Sequence, residues 1–216
     1  LTGSTSTSIW TQYEQGNRYY CGVALPDGLQ KNDKLVHPII TPTTKSDSHD
    51  RPISPQEIIA EGWMNEAHWQ AAVKIVMQLF DFGSQVASQN GLILVDTKYE
   101  LGLDHLGQIT LLDEVHTPDS SRYWLANTYQ ERHQKGLEPE SFDKEFLRLW
   151  FKQHCNPYED KVLPKAPDEL IETLSKRYIS LYETITGQSF DYPSSNVDFN
   201  QRMLANVNDF MQKMAH

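Results

Sequence analysis

The sequence lacks the features that would place it in a membrane or in an oxidising compartment. No apolar run approaches the ~20 residues that a membrane-spanning helix needs, and no basic stretch leads into an apolar one as in a signal peptide. Among 216 residues the only cysteines are Cys21 and Cys155, and neither stands in a CxxC pair or beside histidines at metal-ligand spacing. We therefore expect a cytoplasmic protein with two reduced thiols.

Positive charge is also scarce in this chain. Nineteen lysines and arginines stand against 29 aspartates and glutamates, which gives a formal net charge of −10. A surface that follows nucleic-acid phosphates needs clustered basic residues, so we expect no nucleic-acid partner. What is present is an ordinary globular composition, 38% hydrophobic and 22% charged, in a chain long enough to bury a substantial core.

Turn and helix signals indicate an α+β order of elements. Residues 1–53 combine turn residues with short extended runs, and Ser54-Pro55-Gln56-Glu57 has the capping-box pattern of a helix start. Further helices are predicted over Asn65 to Gln89, Phe142 to Lys152, Pro167 to Ile185 and Asp198 to Met214. The predicted architecture is an α+β fold built around a hairpin.

Two short strands are predicted between these helices. Leu92 to Val95 is an apolar run of the kind found in buried strands, and a second strand follows from Gln108 to Leu112. We expect the two strands to pair as a hairpin through residues 102–107. That pairing would bring Asp113 close either to the start of the first strand or to the charged segment after it, depending on the register.

Charged side chains follow both predicted strands. The first strand continues into Asp96, Lys98 and Glu100, which share one face if the extended backbone persists, and the second ends at Asp113. Carboxylates that face one cleft suit Mg²⁺, which prefers one or two carboxylate oxygens together with phosphates and water. The charge pattern by itself is explained somewhat better by a ladder of surface salt bridges.

Two polar segments have the composition of phosphate-binding loops. Residues 116–122 end in Arg122, whose planar guanidinium matches a phosphate or carboxylate, while residues 3–8 combine one glycine with several hydroxyl side chains. An ordinary loop with an Asx turn at Asp119 and a flexible chain end explain these two segments at least as well. Asp81-Phe82-Gly83 matches the metal motif of protein kinases, but it lies inside the long predicted helix, where we expect it to pack.

Several segments, taken in chain order, resemble the signatures of the phosphoribosylaminoimidazole-succinocarboxamide synthases (SAICAR synthetases). Residues 94–102 resemble an apolar pair followed by D-x-K-x-E-F-G, with Leu101 in place of the usual phenylalanine. Residues 113–124 resemble D-E-x-x-[ST]-P-D-x-x-R-x-W. Shorter matches are Thr2-Gly3-Ser4, residues 41–50 and residues 141–148. Because these matches cover nearly the whole chain, the sequence is identified as a member of this family.

The resemblance implies an ATP-dependent carboxylate–amine ligase of purine biosynthesis. Such an enzyme joins L-aspartate to carboxyaminoimidazole ribonucleotide (CAIR) through an acyl phosphate and gives SAICAR, ADP and phosphate. ATP is the co-substrate, Mg²⁺ is the cofactor, and the fold is related to the ATP-grasp and kinase-like enzymes. Residues 1–216 would form the C-terminal substrate- and metal-binding lobe, with the N-terminal ATP lobe outside this chain, so we expect the chain alone to be inactive.

The resemblance also implies roles for individual residues. Glu100 and Asp113 would bind the metal, and Asp96 and Lys98 would order the reacting carboxylate beside it. The substrates would contact these side chains: Ser4, Lys45, His49, Asp50, Asp119, Arg122 and Arg148. The expected partners are small molecules, with no membrane or nucleic acid, and the assembly is left open between a monomer and a homodimer.

Two other classes of function stay open from the residues alone. This part of the protein could bind the ribonucleotide without any ATP chemistry, which an absent ATP lobe would favour. A different ATP-dependent ligase or a small-molecule kinase is the other class, although neither is expected to combine both acidic signatures. Whether a further lobe is encoded upstream of Leu1 would discriminate the binding module from the enzyme.

Overall fold

The computed structural model describes residues 1–3, 5, 7–45, 50–142, 144–157, 159–193 and 198–214. The fold is α+β, as predicted. Its elements are α1 Ile9–Glu14, β1 Tyr19–Tyr20, β2 Val23–Ala24, α2 Pro55–Ala60, α3 Glu66–Gln89, β3 Leu92–Thr97, β4 Glu100–Leu103, β5 Ile109–Leu112, β6 Ser121–Leu125, α4 Ala126–Gln134, α5 Glu145–His154, α6 Asp168–Thr186 and α7 Phe199–Met214. Ser4 and His49, two of the predicted substrate residues, lie outside the described residues.

The helix-start signals in the sequence are confirmed. At α2 the Ser54 hydroxyl accepts a hydrogen bond from the Glu57 backbone N–H, and the Glu57 carboxylate accepts one from the Ser54 N–H at 2.7 Å. At α3 the Asn65 side chain accepts a hydrogen bond from the backbone N–H of His68. α3 ends before Gly91, which adopts a φ of 71° that a glycine takes without steric cost.

The predicted hairpin is wrong in its partners. The first predicted strand, β3, pairs antiparallel with β6, while β5 pairs with the short strand β4. β6 lies in a segment that reads as a loop, because Pro118 and several hydroxyl residues precede it. Its inner residues Tyr123 and Trp124 are buried, and they provide the apolar partner that the apolar strand β3 requires.

The charged segment after the first predicted strand is therefore divided between two strands, β3 and β4. β3 ends at Thr97, with a register shift between Leu94 and Asp96, and β4 begins at Glu100. The prediction that Asp96, Lys98 and Glu100 share one face of one strand is accordingly wrong. Asp96 belongs to the β3–β6 pair, and Glu100 belongs to the β4–β5 pair.

Further segments differ from the sequence prediction. α5 begins at Glu145 rather than Phe142, because the Phe142 backbone N–H donates to the Tyr123 carbonyl and keeps this segment extended beside β6. The helices α1 and α4 and the strand β6 were not predicted; α4 is strongly polar and has no apolar stripe to reveal it. Within the described part of the chain, no helix has the length and apolar character needed to cross a membrane.

Two hydrophobic clusters form the core. One joins α1 to the first hairpin through Leu1, Tyr13, Tyr20, Cys21 and Leu25. The other joins α3, β3, β6 and α6 through Ala87, Leu92, Leu94, Tyr123 and Leu181. Because β3 and β6 lie in the second cluster, their packing supports the charged residues at the ends of these strands.

Replacing Leu181 by alanine is expected to lower the free energy of unfolding by about 2–5 kcal/mol, because this side chain is 1% exposed and its loss leaves a cavity. Ile171→Ala on the same helix is the matched control: its side chain is 48% exposed, and we expect a loss below about 1 kcal/mol. Urea unfolding of both variants measures the two values. Equal losses would contradict the packing of α6 against the second cluster.

Candidate active-site cleft

A charged cleft lies where β3, β4, β6, the turn after β5 and the start of α5 meet. Its larger cavity, about 360 Å³, is lined by Lys98, Glu100, Asp113, Glu114, Asp119, Ser120, Lys144 and Arg148. A smaller cavity of about 140 Å³ adjoins it and adds Asp96, Pro118, Ser121, Arg122 and Glu145. The structure thus brings together all but four of the predicted site residues.

The remaining four residues are placed as follows. Lys45 reaches the cleft through an ion pair with Glu100. Asp50 is exposed and does not line either cavity, although its charge helps to raise the pKa of Lys45. Ser4 and His49 lie outside the described residues, so their predicted roles stay predictions.

Strand pairing positions Arg122 in the smaller cavity. Asp96 on β3 stands opposite Arg122 on β6, and the guanidinium Nη1 donates to the Asp96 carboxylate over 2.8 Å. The Arg122 side chain is 19% exposed, so its charge is partly removed from water. A Cβ built on Gly3 would lie only 3.3 Å from Arg122 Nη1 and 2.3 Å from Ser8 Oγ. The glycine therefore lets the chain at residues 2–3 approach the arginine closely.

Glu100 is held by two lysines in the larger cavity. Lys45 Nζ lies 2.6 Å from one carboxylate oxygen, and Lys98 Nζ lies 2.5 Å from the other. Hydrogen bonds from Lys45 and then Lys98 lower the pKa of Glu100 to about 2. The hydrogen bond to Glu100 in turn raises the pKa of Lys45. Glu100 is consequently ionised at neutral pH.

The β4–β5 register places Asp113 beside Glu100. Leu112 stands opposite Glu100, so Asp113 follows directly at the same end of the strand pair. The sequence left two positions open for Asp113, near the start of the first strand or near the charged segment after it. The structure shows the second of these. Asp113 adopts a φ of 64° and begins the turn that leads to β6.

Asp119 is held by two residues that no predicted role included. Lys144 Nζ lies 2.5 Å from its Oδ1, and the Tyr178 hydroxyl donates to the same oxygen over 3.2 Å. The hydrogen bond from Lys144 keeps the pKa of Asp119 below its usual range. Lys144 belongs to the recognised segment 141–148, which gave a signal for it. Tyr178 comes from α6, and its distance along the chain left no such signal.

The turn between β5 and β6 is anchored on its inner side. The Tyr99 hydroxyl and His116 Nε2 lie 2.5 Å apart, and the Tyr123 hydroxyl donates to the His116 carbonyl over 2.8 Å. Burial lowers the pKa of His116, which favours the neutral imidazole. Across the turn, the Thr117 hydroxyl donates to the Glu114 carboxylate.

Two carboxylates of the cleft would suit a magnesium ion that takes its other ligands from phosphates and water. Among the described residues no group of three histidines, cysteines, aspartates or glutamates is arranged to hold a metal ion. Glu100 and Asp113 nevertheless line one cavity, and Mg²⁺ commonly takes only one or two carboxylates in addition to phosphates and water. Both oxygens of Glu100 are paired with lysines, so a metal at this position would have to share or displace one of these contacts.

Fold and cleft together define an α+β protein whose cleft presents cationic side chains next to carboxylates, as a site for an anionic small molecule requires. Comparison of the sequence with protein families is more specific. The model of the SAICAR synthetase family matches residues 1–165, about three quarters of the chain. The chain belongs to the SAICAR synthetase family.

Individual relatives support the same assignment. A phosphoribosylaminoimidazole-succinocarboxamide synthase of Legionella pneumophila (strain Lens) is 61% identical over 211 residues, which are 98% of this chain and 68% of that protein. The chloroplastic enzyme of that name from Arabidopsis thaliana is 56% identical over 214 residues, 99% of this chain and 52% of that protein. The chain thus spans about half to two thirds of the length of these relatives.

Solved structures agree in fold. SAICAR synthase from Saccharomyces cerevisiae, complexed with SAICAR, gives a TM-score of 0.69 at 31% identity, over 88% of this chain and 58% of that one. A SAICAR synthetase (Type-2) in complex with ADP gives a TM-score of 0.56 at 27% identity, over 76% of this chain and 57% of that one.

The ion pairs of Glu100 with Lys45 and Lys98 predict that the free energy of unfolding depends on pH. Since the folded pKa of about 2 lies below the ordinary value of 4.5, the stabilisation is complete above pH 4.5 and is lost as the pH falls towards 2. We expect the stability difference between the wild type and Glu100→Gln to shrink from pH 7 to pH 3 in urea unfolding. Glu131→Gln, at an exposed pair on α4, is the control and should change less. A constant difference for Glu100→Gln would contradict the assignment.

Proposed function

We propose that the protein containing this chain joins L-aspartate to CAIR with the use of ATP and gives SAICAR, ADP and phosphate. Family membership and the names of the relatives support the reaction. The observation that carries the proposal is the cleft itself, where Arg122, Lys144 and Arg148 lie beside the carboxylates Glu100 and Asp113. Cations for an anionic substrate and carboxylates for a metal are the two requirements of this chemistry.

The cationic end of the cleft would bind the ribonucleotide. Arg122 is partly buried and paired with Asp96, so its guanidinium is oriented before any ligand arrives and can present its fork to a phosphate or carboxylate. Arg148 is similarly oriented by Glu145, 2.9 Å away. Lys144 and Asp119 would act with them, and Ser4 and His49 are proposed to contribute as the family signatures imply. Lys45 and Asp50 would contact substrate from the edge near Glu100.

The carboxylate end of the cleft would position the reacting groups. The CAIR carboxylate would attack the γ-phosphorus of ATP to form an acyl phosphate, and ADP would leave. The aspartate amine would then attack the acyl carbon, and phosphate would leave as the amide forms. When bound by Glu100 and Asp113, Mg²⁺ supplies charge neutralisation for the phosphoryl transfer. Asp96 and Lys98 would orient the CAIR carboxylate, and the charge of Lys98 would favour its ionised form.

The ATP site would extend beyond the described cleft. The solved relative with ADP supports nucleotide use by the family, and the proposed architecture is a C-terminal lobe related to the ATP-grasp and kinase-like enzymes. Residues 1–216 would supply the substrate and metal contacts. Those portions of the relatives that do not align with this chain would supply further contacts to the triphosphate. On this proposal the 216 residues alone bind CAIR without supporting ligation.

The direct test is an assay of ADP release by the whole protein with ATP, CAIR, L-aspartate and Mg²⁺. ADP release that depends on both CAIR and aspartate, together with formation of SAICAR, supports the proposal. Release of ADP without aspartate would indicate a kinase instead, and binding of CAIR without any release of ADP would indicate a binding module.

Glu100→Gln and Asp113→Asn are each expected to lower ligation by about 100-fold or more in the whole protein, because each keeps the side-chain shape and removes a charge that binds the metal. Steady-state rates at saturating Mg²⁺ measure the effect. Asp27→Asn, at an exposed position that lines neither cavity, is the control. Activity within about threefold of the wild type for both site variants would refute the metal assignment.

Arg122→Lys is expected to raise the Michaelis constant for CAIR about 10- to 100-fold while the constant for ATP stays near its original value. Lysine keeps the positive charge but has no planar fork with which to contact Asp96 and the substrate at the same time. Initial rates with each substrate varied in turn separate the two constants. A rise in the Michaelis constant for ATP alone would show that Arg122 belongs to the nucleotide site and not to the CAIR site.

A further inference from the structure

A half-buried pair, Tyr99 and His116, lies beside the cleft and is used by none of the proposed steps. The Tyr99 hydroxyl and His116 Nε2 are 2.5 Å apart, and the two rings meet edge to face with centroids 5.5 Å apart. Neither position is fixed in the signatures that the chain resembles, D-x-K-x-E-F-G and D-E-x-x-[ST]-P-D, where both fall on an x.

Each member of the pair lies between residues that line the cleft. Tyr99 stands between Lys98 and Glu100, and its hydroxyl contacts His116 while these neighbours line the larger cavity. His116 follows Asp113 and Glu114 in the turn before β6. The hydrogen bond thus joins the segment that carries Glu100 to the turn that carries Asp113.

The position of His116 is determined on three sides. Its backbone adopts a φ of 58°, and its carbonyl accepts a hydrogen bond from the Tyr123 hydroxyl. Its imidazole packs on Gly83 of α3, where a Cβ would lie 2.3 Å from Cε1. The glycine of the Asp81-Phe82-Gly83 motif therefore provides space for this ring, and the long helix serves as the fixed wall against which the turn is set.

We propose that Tyr99 and His116 are a positioning pair that sets the separation of Glu100 and Asp113, and so the geometry of the proposed magnesium site. The inference rests on the proposed function for its kinetic consequence, but its structural consequence is independent of that function. Without the hydrogen bond the turn at residues 113–117 keeps the Tyr123 and Thr117 contacts, and its first residue still follows Leu112, which pairs with Glu100. What it loses is the side-chain link from His116 to the segment of Glu100, which holds the far side of the turn. Groups that hydrogen-bond directly to metal ligands commonly change metal affinity or activity about 10- to 100-fold when removed, and this pair acts one contact further away, so we expect the lower end of that range.

The test compares Tyr99→Phe, His116→Asn and the double variant in the whole protein. Phenylalanine removes only the hydroxyl, and asparagine tolerates the left-handed backbone at position 116. Gly83→Ala displaces the imidazole while both members of the pair remain. Tyr13→Phe is the matched control, since its buried hydroxyl donates to the Pro26 carbonyl over 2.9 Å in the other core cluster.

Two measurements decide the proposal. Amide hydrogen exchange without Mg²⁺ should be faster at residues 113–117 in Tyr99→Phe and Gly83→Ala than in Tyr13→Phe. The Mg²⁺ concentration for half-maximal ligation should rise about tenfold in Tyr99→Phe. In the double variant this concentration should be no higher than in His116→Asn, because the single and the double variants all lose the same hydrogen bond.

If amide exchange at residues 113–117 is unchanged in Tyr99→Phe, the proposed positioning role is wrong. It is also wrong if the effect of the double variant on the Mg²⁺ requirement equals the sum of the two single effects. If the wild type itself releases no ADP, the proposed function is wrong, and the exchange measurement still decides whether the pair holds the turn. If His116→Asn does not fold, Tyr99→Phe and Gly83→Ala decide the outcome by themselves.

Discussion

The antiparallel pairing of β3 with β6 is the constraint on which the rest of the cleft depends. It sets Asp96 opposite Arg122 at the outer end of the strands, while Leu94 stands opposite Tyr123 in the core. The apolar packing that stabilises the second cluster therefore also determines where the guanidinium of Arg122 lies relative to the two strands. A side chain on a strand with packed neighbours is held more rigidly than one on a loop, and preorganised charge is what binding and catalysis of an anion require.

Charge compensation within the cleft follows from this arrangement. Three carboxylates of the cleft have a cationic neighbour: Asp96 has Arg122, Glu100 has two lysines and Asp119 has Lys144. Such pairing limits the cost of gathering many charges in partly buried space. It also keeps the cations available to an incoming phosphate or carboxylate, which can replace a protein carboxylate as partner. A protein of strongly negative net charge can in this way present a local cationic surface to an anionic substrate.

The sequence was sufficient where the structure is determined by neighbouring residues. The capping box at Ser54 was predicted, and so was a helix from about Asn65, where the structure shows an amide cap; both caps fix a helix start within three residues. The pairing of β3 depends instead on Tyr123 and Trp124, which lie behind a proline and hydroxyl residues that indicate a loop. The cleft residues were found through family signatures, because the charge pattern alone favoured surface salt bridges. Tyr178 reaches Asp119 only through the packing of α6, which no local pattern encodes.

The turn between β5 and β6 shows how the fold retains an unfavourable backbone at the cleft. Asp113 and His116 both have positive φ, at 64° and 58°, a conformation that costs a non-glycine residue on the order of 1–3 kcal/mol. Glycine at either position would relieve this cost but would remove a carboxylate from the cleft or the ring that fills the space above Gly83. The contacts of His116 with Tyr99 and Tyr123, and of Thr117 with Glu114, together offset a cost of this size. The strained turn is therefore stable only as part of the whole assembly, which ties the position of Asp113 to the core behind it.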